Sequence, residues 1–366
     1  MSQARSLATP LLDVHTGLGA RLTDFAGWRM PLKYTSELAE HQAVRTTAGL
    51  FDLSHMGEIR VRGPQAAAVL DHALVGKLSA IAVGRAKYSL LCDENGGILD
   101  DLVTYRLAED EYLVIANASN TGVVAEALAE RVRPFDAEIV DETAQTALIA
   151  VQGPASTAIV EGLLGASVSA LRYYACMPAR LAGLDVLLAR TGYTGEDGFE
   201  VYVAADQASV LWQALYAATE AAGGRAAGLA CRDTLRLEAG MPLYGNELGL
   251  ETDPYAAGLG RVVQLGKSFV GQEALSQAAS TQPARVLTGL SGQGRRAARA
   301  GNPVLNAAGE PIGVITSGAL SPTLGRPIAL AYVDREEAVE GRALSVDVRG
   351  TLLPFDVTPY PFYRRS

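Results

Sequence analysis

Cysteine, histidine and tryptophan are scarce in this chain: three, four and two residues of 366. Cys92, Cys176 and Cys231 are odd in number, far apart and without a CxxC pair, which argues against a disulfide framework and against a thiolate metal centre. Three buried thiols are the simpler expectation. His15, His41, His55 and His72 show neither HxxxH nor HExxH spacing, so no metal is expected. No GxSxG elbow occurs, and "FDLSHMGE", with Asp52, Ser54 and His55, gives no hydrolase triad on its own. Long apolar runs are missing too: none approaches the roughly 18 residues that cross a bilayer. "MSQARSLATPLLDVHTG" lacks an apolar signal core, so cytoplasmic residence is expected. Positive charge is in deficit, with a net charge of −9 and a pI near 5.1. That opposes the concentrated positive field of nonspecific nucleic-acid binding. "GRVVQLGKS" (260–268) misses the Walker spacing by one residue, and "GLGARL" lacks the third glycine of a dinucleotide fingerprint.

What is present is material for large cores: 49% apolar and 19% charged residues, in a chain too long for one domain of ordinary size. "IRVRGPQAAAVLDHAL" (59–74) and "IAVQGPASTAIVEGLL" (149–164) both read as strand, Gly-Pro break and amphipathic helix, with Pro64 and Pro154 suited to a first helical turn. A third helix spans 206–224, with Asp206 as N-cap and a Gly-Gly stop. Strands such as "AKYSLLCD", "GILDDLVTYR", "EYLVIAN", "LDVLLART" and "GFEVYVA" lie between them. The pattern is α+β with mainly antiparallel sheets. A polar stretch at 276–284, "SQAASTQPA", reads as a linker. Short strands and frequent turns follow it, the pattern of a small β-barrel or sandwich. The domain expectation is therefore 1–282 and 283–366.

Three stretches are dense in candidate chemistry. In "CDENGGILDDLVTYR" (92–106), Asn95-Gly96 is a type I′ hairpin signal. Strand alternation then groups Asp101 with Leu99, Val103 and Tyr105, and Asp100 with Ile98, Leu102, Thr104 and Arg106. An aspartate among apolar side chains needs a partner or a task. Asp101 is the candidate on that pattern, a hydrogen-bonded structural aspartate is the alternative, and Asp100 takes the wetter face. In "RTGYTGEDGFEVYV" (190–203), three glycines make a tight loop before a strand that shows Glu200 and Tyr202 on one face. Tyr193 is a candidate stacking platform, against the alternative of an ordinary turn with a solvated Glu200. In "GLACRDTLRLEAGMPLYGNEL" (228–248), Arg232 and Arg236 lie four apart on a short helix, where a guanidinium offers fixed bidentate donors. Ion pairing with Asp233 or Glu238 is the competing use.

Together with "DFAGWRMPLKY", "HQAVRTTAGLFDLSHMGEIRVRGP", "FVGQEAL", "TSGALSPTLGRPIALAYV" and the terminal "PFYRR", these stretches resemble the glycine cleavage T-proteins. That family consists of tetrahydrofolate-dependent aminomethyltransferases, and the likeness runs from about residue 9 to the C-terminus. The resemblance implies a cloverleaf: two intertwined α+β subdomains plus a C-terminal β-barrel around a central folate site. It implies that lipoylated H-protein supplies an aminomethyl group, and that tetrahydrofolate takes its carbon as ammonia leaves. Asp101 corresponds to the family's catalytic aspartate. Met56, Tyr88, Asn117, Tyr193, Glu200 and Arg232 correspond to folate-pocket positions, with Tyr363 or Arg364 closing the pocket from the tail. Met241 and Arg261 depart from the family pattern at the pocket rim. A same-fold folate-dependent demethylase and a non-catalytic folate-binding maintenance protein are the rival readings. "GQGRRAARAGNPV" (292–304) gathers Arg295, Arg296 and Arg299 in an acidic chain; docking of the acidic partner is expected there, against a plain solvated loop.

Overall fold

Apolar residues alternate along the main strands and recur at helical spacing between them, which gives these elements at least one face to bury. The computed structural model describes residues 6–365. A five-stranded antiparallel sheet runs in the order Ala86–Cys92, Ile98–Ala108, Glu111–Ala116, Gly57–Arg62, Glu138–Asp141. A six-stranded sheet runs Cys176–Leu181, Leu184–Ala189, Gly198–Ala204, Thr146–Gln152, Gly49–Asp52, Arg225–Ala226, antiparallel except at its last pair. The two halves are interwoven. Gly49–Asp52 pairs with Thr146–Gln152, far downstream, and residues 53–56 then hand the chain to the other sheet at Gly57.

Each sheet is covered on both sides. Ile149, Val151, Val201 and Val203 pack outward with Ile159, Val160, Leu211 and Trp212, the last four on the helices Ser156–Leu164 and Ala208–Ala221. Ile59, Val61, Leu102 and Val114 pack outward with Val69, Leu70, Val124 and Leu128, on Ala66–Ala73 and Thr121–Arg131. Between the sheets lies a third cluster, including Phe51, Leu53, Tyr105, Ile115, Leu148 and Tyr202, joined by Cys231 and Leu235 of the helix Leu229–Glu238. That helix enters at Gly228, where a Cβ would meet the Leu32 carbonyl oxygen at 2.4 Å. Only glycine lets the small sheet of Leu7–Ala8, Trp28–Lys33 and Arg21–Phe25 approach the helix start so closely. Six strands close the C-terminal barrel in the order Arg285–Gly292, Pro327–Asp334, Pro311–Leu320, Pro303–Leu305, Ala343–Val348, Thr351–Val357. Its interior holds Leu290, Val304, Ile315, Val346 and Phe355, and Leu237 joins Leu287 and Leu330 where the barrel meets the rest. No helix among the described residues is long and apolar enough to cross a membrane.

Local expectations differ from the structure at several points. Only Gly96 has positive φ in the 93–97 turn, so it is not type I′: Gly96 N–H donates to the Asp93 carbonyl, and Asp93 Oδ1 accepts from the N–H groups of Asn95 and Gly97. The aspartate side chain does the work assigned to a left-handed Asn95. Pro64 and Pro154 precede helices that begin at Ala66 and Ser156, each after a glycine at φ 125 or 133. Asp206 lies in the 3₁₀ turn Ala205–Gln207 and caps no helix. The polar stretch at 276–284 is not all linker, because the helix Gln272–Ser280 takes its first half. Cys92, Cys176 and Cys231 are buried free thiols.

Candidate active site

Asp101 and Glu200 come from different sheets, and strand alternation turns both toward the space between them, with Tyr105 and Tyr202 as same-face neighbours. Asp101 is part-buried. Its Oδ2 accepts from the Tyr88 hydroxyl at 3.0 Å and its Oδ1 from Asn117 Nδ2 at 2.8 Å. Burial pushes the Asp101 carboxyl up to about 6, against the pull of those two bonds. The group is thus mostly ionised at neutral pH, yet within reach of a proton.

Asp100 contradicts its expected wet-face placement. It is fully buried, because the face opposite Asp101 points at the helix-covered core and not at water. Oδ1 accepts from Asn117 Nδ2 at 2.9 Å and Asn120 Nδ2 at 2.8 Å, and Oδ2 accepts from the Asn117 backbone N–H at 3.0 Å. Burial first, and the adjacent Asp101 second, push this carboxyl up to about 7.

Glu200 is not simply solvated. Its Oε2 accepts from Thr191 Oγ1 at 2.5 Å and from the Tyr105 hydroxyl at 3.3 Å, and Tyr105 in turn bonds Thr191 at 2.8 Å. Oε1 takes no hydrogen bond among the described residues, so one edge of a fixed carboxylate is free for two donors of a ligand. Arg232 lies with its guanidinium carbon 5.0 Å from the centre of the Tyr193 ring, and the Tyr193 hydroxyl donates to the Pro242 carbonyl. The Arg232 Nη1 atom is buried without a partner among the described residues, an open donor of the kind a bound acceptor would satisfy. Arg236, four residues on, is spent on structure: it pairs with buried Glu247 at 2.9 Å and with Asp233.

Met56 packs against the inter-sheet cluster. The Tyr363 ring sits 4.0 Å from the Arg45 guanidinium carbon, and its N–H donates to the Glu238 carbonyl. Arg45 bridges Glu196 at 2.9 Å and Glu238 at 2.8 Å, tying the tail to the loop that carries Tyr193. Burial alone would raise Glu238, but bonds from His41 and Ser321 and the charge of Arg45 hold it down at about 2. Arg364 is exposed. Sequence reading missed Tyr105, Thr191, Asn120 and Tyr174, whose φ of 58 places it in the left-handed region. Of these, only Tyr105 carried a signal, as a same-face neighbour of Asp101.

Comparison with known proteins decides the family. Residues 11–267 match the model of the GCVT N-terminal domain, and residues 285–364 match that of the glycine cleavage T-protein C-terminal barrel domain. The chain belongs to the glycine cleavage T-protein family. An aminomethyltransferase of Saccharopolyspora erythraea is 57% identical over 360 residues, covering 98% of both chains. One from Thermotoga petrophila is 44% identical over 358 residues, again covering 98% of both. The crystal structure of glycine cleavage system aminomethyltransferase T from Bartonella henselae superposes with a TM-score of 0.92 at 35% identity, covering 98% of each chain. Like its T-protein relatives, the chain is an aminomethyltransferase of the glycine cleavage system, and the cloverleaf with its terminal barrel is the fold it shares with them.

Proposed function

We propose that the chain moves the carbon of an aminomethyl group from the lipoyl arm of H-protein to N5 of tetrahydrofolate. Ammonia leaves, 5,10-methylenetetrahydrofolate forms, and the arm is left as a dithiol. Breaking the bond from that carbon to sulfur or to nitrogen develops iminium-like positive charge. A carboxylate held in advance beside that charge lowers the barrier, more so where water is sparse. The Asp101 carboxylate, directed by Tyr88 and Asn117, is the observation that carries this reading. Its raised proton affinity suits it also to handle a proton of the folate nitrogens.

Glu200 is the group we assign to the donor edge of the pterin: Thr191 and Tyr105 fix one oxygen and leave the other free. A carboxylate facing two parallel N–H groups gives shape-specific recognition. Arg232 and Tyr193 line the ring, while Met56, Tyr88 and Asn117 complete the pocket. Glu200→Gln should weaken tetrahydrofolate binding by roughly ten- to a hundredfold, read by titration calorimetry, because the charge is lost and an amide that keeps its oxygen on Thr191 and Tyr105 turns its N–H donors toward those of the ligand. The same calorimetry tests the whole reading: wild-type protein that does not bind tetrahydrofolate overturns it.

For H-protein we assign the basic cluster a docking role. Arg295 and Arg299 line a groove of about 1100 Å³ between the barrel and the helix Glu37–Thr46. Arg296 turns away to donate to the Val348 carbonyl. Charge reversal at Arg295 and Arg299 should weaken H-protein association more at low salt than at high. Unchanged association at both would remove the groove from the account. We further assign the barrel unit to 283–366, the folate unit to 1–282, and the protein to the cytoplasm, where reduced thiols such as its three persist.

A further inference from the structure

Asn117 Nδ2 has two hydrogens, and it stands 2.9 Å from Asp100 Oδ1 and 2.8 Å from Asp101 Oδ1. One amide therefore serves two carboxyl groups that point to opposite faces of a strand. Asp100 has two further donors, the Asn117 backbone N–H and the buried Asn120 Nδ2, and is itself fully buried. Asp101 has one further donor, Tyr88, and partial access to the inter-sheet space. Nothing in the transfer chemistry uses Asp100, and a merely structural position at the edge of a core would be filled more cheaply by an uncharged residue.

We propose that Asp100 is a positioning residue for Asp101: acting through the shared Asn117 amide, it sets both the direction and the charge of the reacting carboxylate. When Asp100 is ionised, the Asn117 amide is drawn toward it and a second negative charge lies close to Asp101. Asp101 then holds its proton to a higher pH. With Asp101 ionised, its charge makes Asp100 hold its own proton more tightly, so the pair keeps close to one negative charge near neutral pH. The phenols of Tyr88, Tyr174, Tyr193 and Tyr244 near the pair are all pushed to higher pKa by burial first and so neutral at pH 7, and Glu200 and Arg232 are the charged groups that border the same inter-sheet space.

This inference rests on the reading of Asp101 as the reacting carboxylate, but its test does not. Carbon-13 carboxyl NMR of aspartate-labelled protein follows the Asp101 titration directly, with Asp101→Asn used to assign the signal. Asp100→Asn should lower the Asp101 midpoint by about one pH unit. The acidic limb of the kcat/KM profile should move by the same amount, with KM for tetrahydrofolate unchanged. Because an asparagine at 100 presents its own donor to the Asn117 N–H, Asn120→Ala serves as a second variant. It removes one donor from Asp100 and touches no Asp101 oxygen, and it should shift the midpoint in the same direction. An Asp101 midpoint unmoved in both variants overturns the coupling and leaves the proposed reaction standing. Full turnover by Asp101→Asn with a shifted midpoint in Asp100→Asn overturns the reaction role and leaves the coupling.

Discussion

Arg236→Ala should cost about 3–5 kcal/mol of stability, a large share of the roughly 5–15 kcal/mol that holds an ordinary domain together. Arg236 is 1% exposed. Its Nη1 donates to Glu247 Oε2 at 2.9 Å and to the Met241 carbonyl, its Nη2 to Ser317 Oγ at 2.7 Å, and its Nε to Asp233. One guanidinium thus ties the helix Leu229–Glu238, the following loop and a barrel strand together. Its removal leaves the fully buried Glu247 carboxylate with the Leu243 N–H as its remaining donor. The cost comes from that stranded charge more than from the lost attraction. For that reason the double variant Arg236→Met with Glu247→Leu should recover most of the loss in a thermal melt. A single variant that melts within a degree or two of wild type would refute the argument.

Asp101→Asn should lower the rate of ammonia release by roughly a hundred- to a thousandfold, with tetrahydrofolate affinity within a few-fold of wild type. The asparagine keeps an oxygen for either Tyr88 or Asn117, so pocket shape survives, but the negative charge that meets the developing cation is gone. The amide nitrogen also faces one of two existing donors, which turns the side chain and costs further rate. A loss seen wholly in KM, with kcat intact, would make Asp101 a binding group instead. Stability adds a second sign. Both carboxyls have folded-state values above the ordinary 3.8, at about 7 and about 6. Between about pH 4 and 7 the folded form therefore holds protons that the unfolded chain has released. The pair's contribution is fully present at low pH and declines as pH rises through those values.

Much of the site was legible because it lies on strands. Two-residue alternation alone separates Asp101 from Asp100 and sets Glu200 beside Tyr202, and the structure keeps those groupings. The same rule failed to say what each face meets. It expects one dry and one wet side, whereas here helices cover one face and a second sheet the other, so Asp100 is the more deeply buried of the two. The Asp93-capped turn shows a different limit: a short polar side chain accepted the N–H groups of Asn95 and Gly97, so dipeptide preference did not decide the geometry. Least visible were long-range partners. His41 lies between Thr234 and Thr323, and Glu238 gathers Arg45, Ser321 and Thr323 from separate parts of the chain. No periodicity encodes such meetings; they follow from how the barrel seats on one helix. The interweaving at Gly49–Asp52 was available only through resemblance, since a four-residue strand carries no mark of the sheet it will join.

In the proposed reaction, carbon passes from the aminomethyl-loaded arm to tetrahydrofolate in the cleft between the sheets. Single-turnover NMR with H-protein carrying a carbon-13 aminomethyl group tests it most directly. With wild-type protein and tetrahydrofolate, the label should move to the methylene bridge of 5,10-methylenetetrahydrofolate, releasing one ammonia per arm, and should stay on the arm when tetrahydrofolate is left out. Label that leaves the arm at the same rate without tetrahydrofolate, or that ends in any other carbon, would contradict the account.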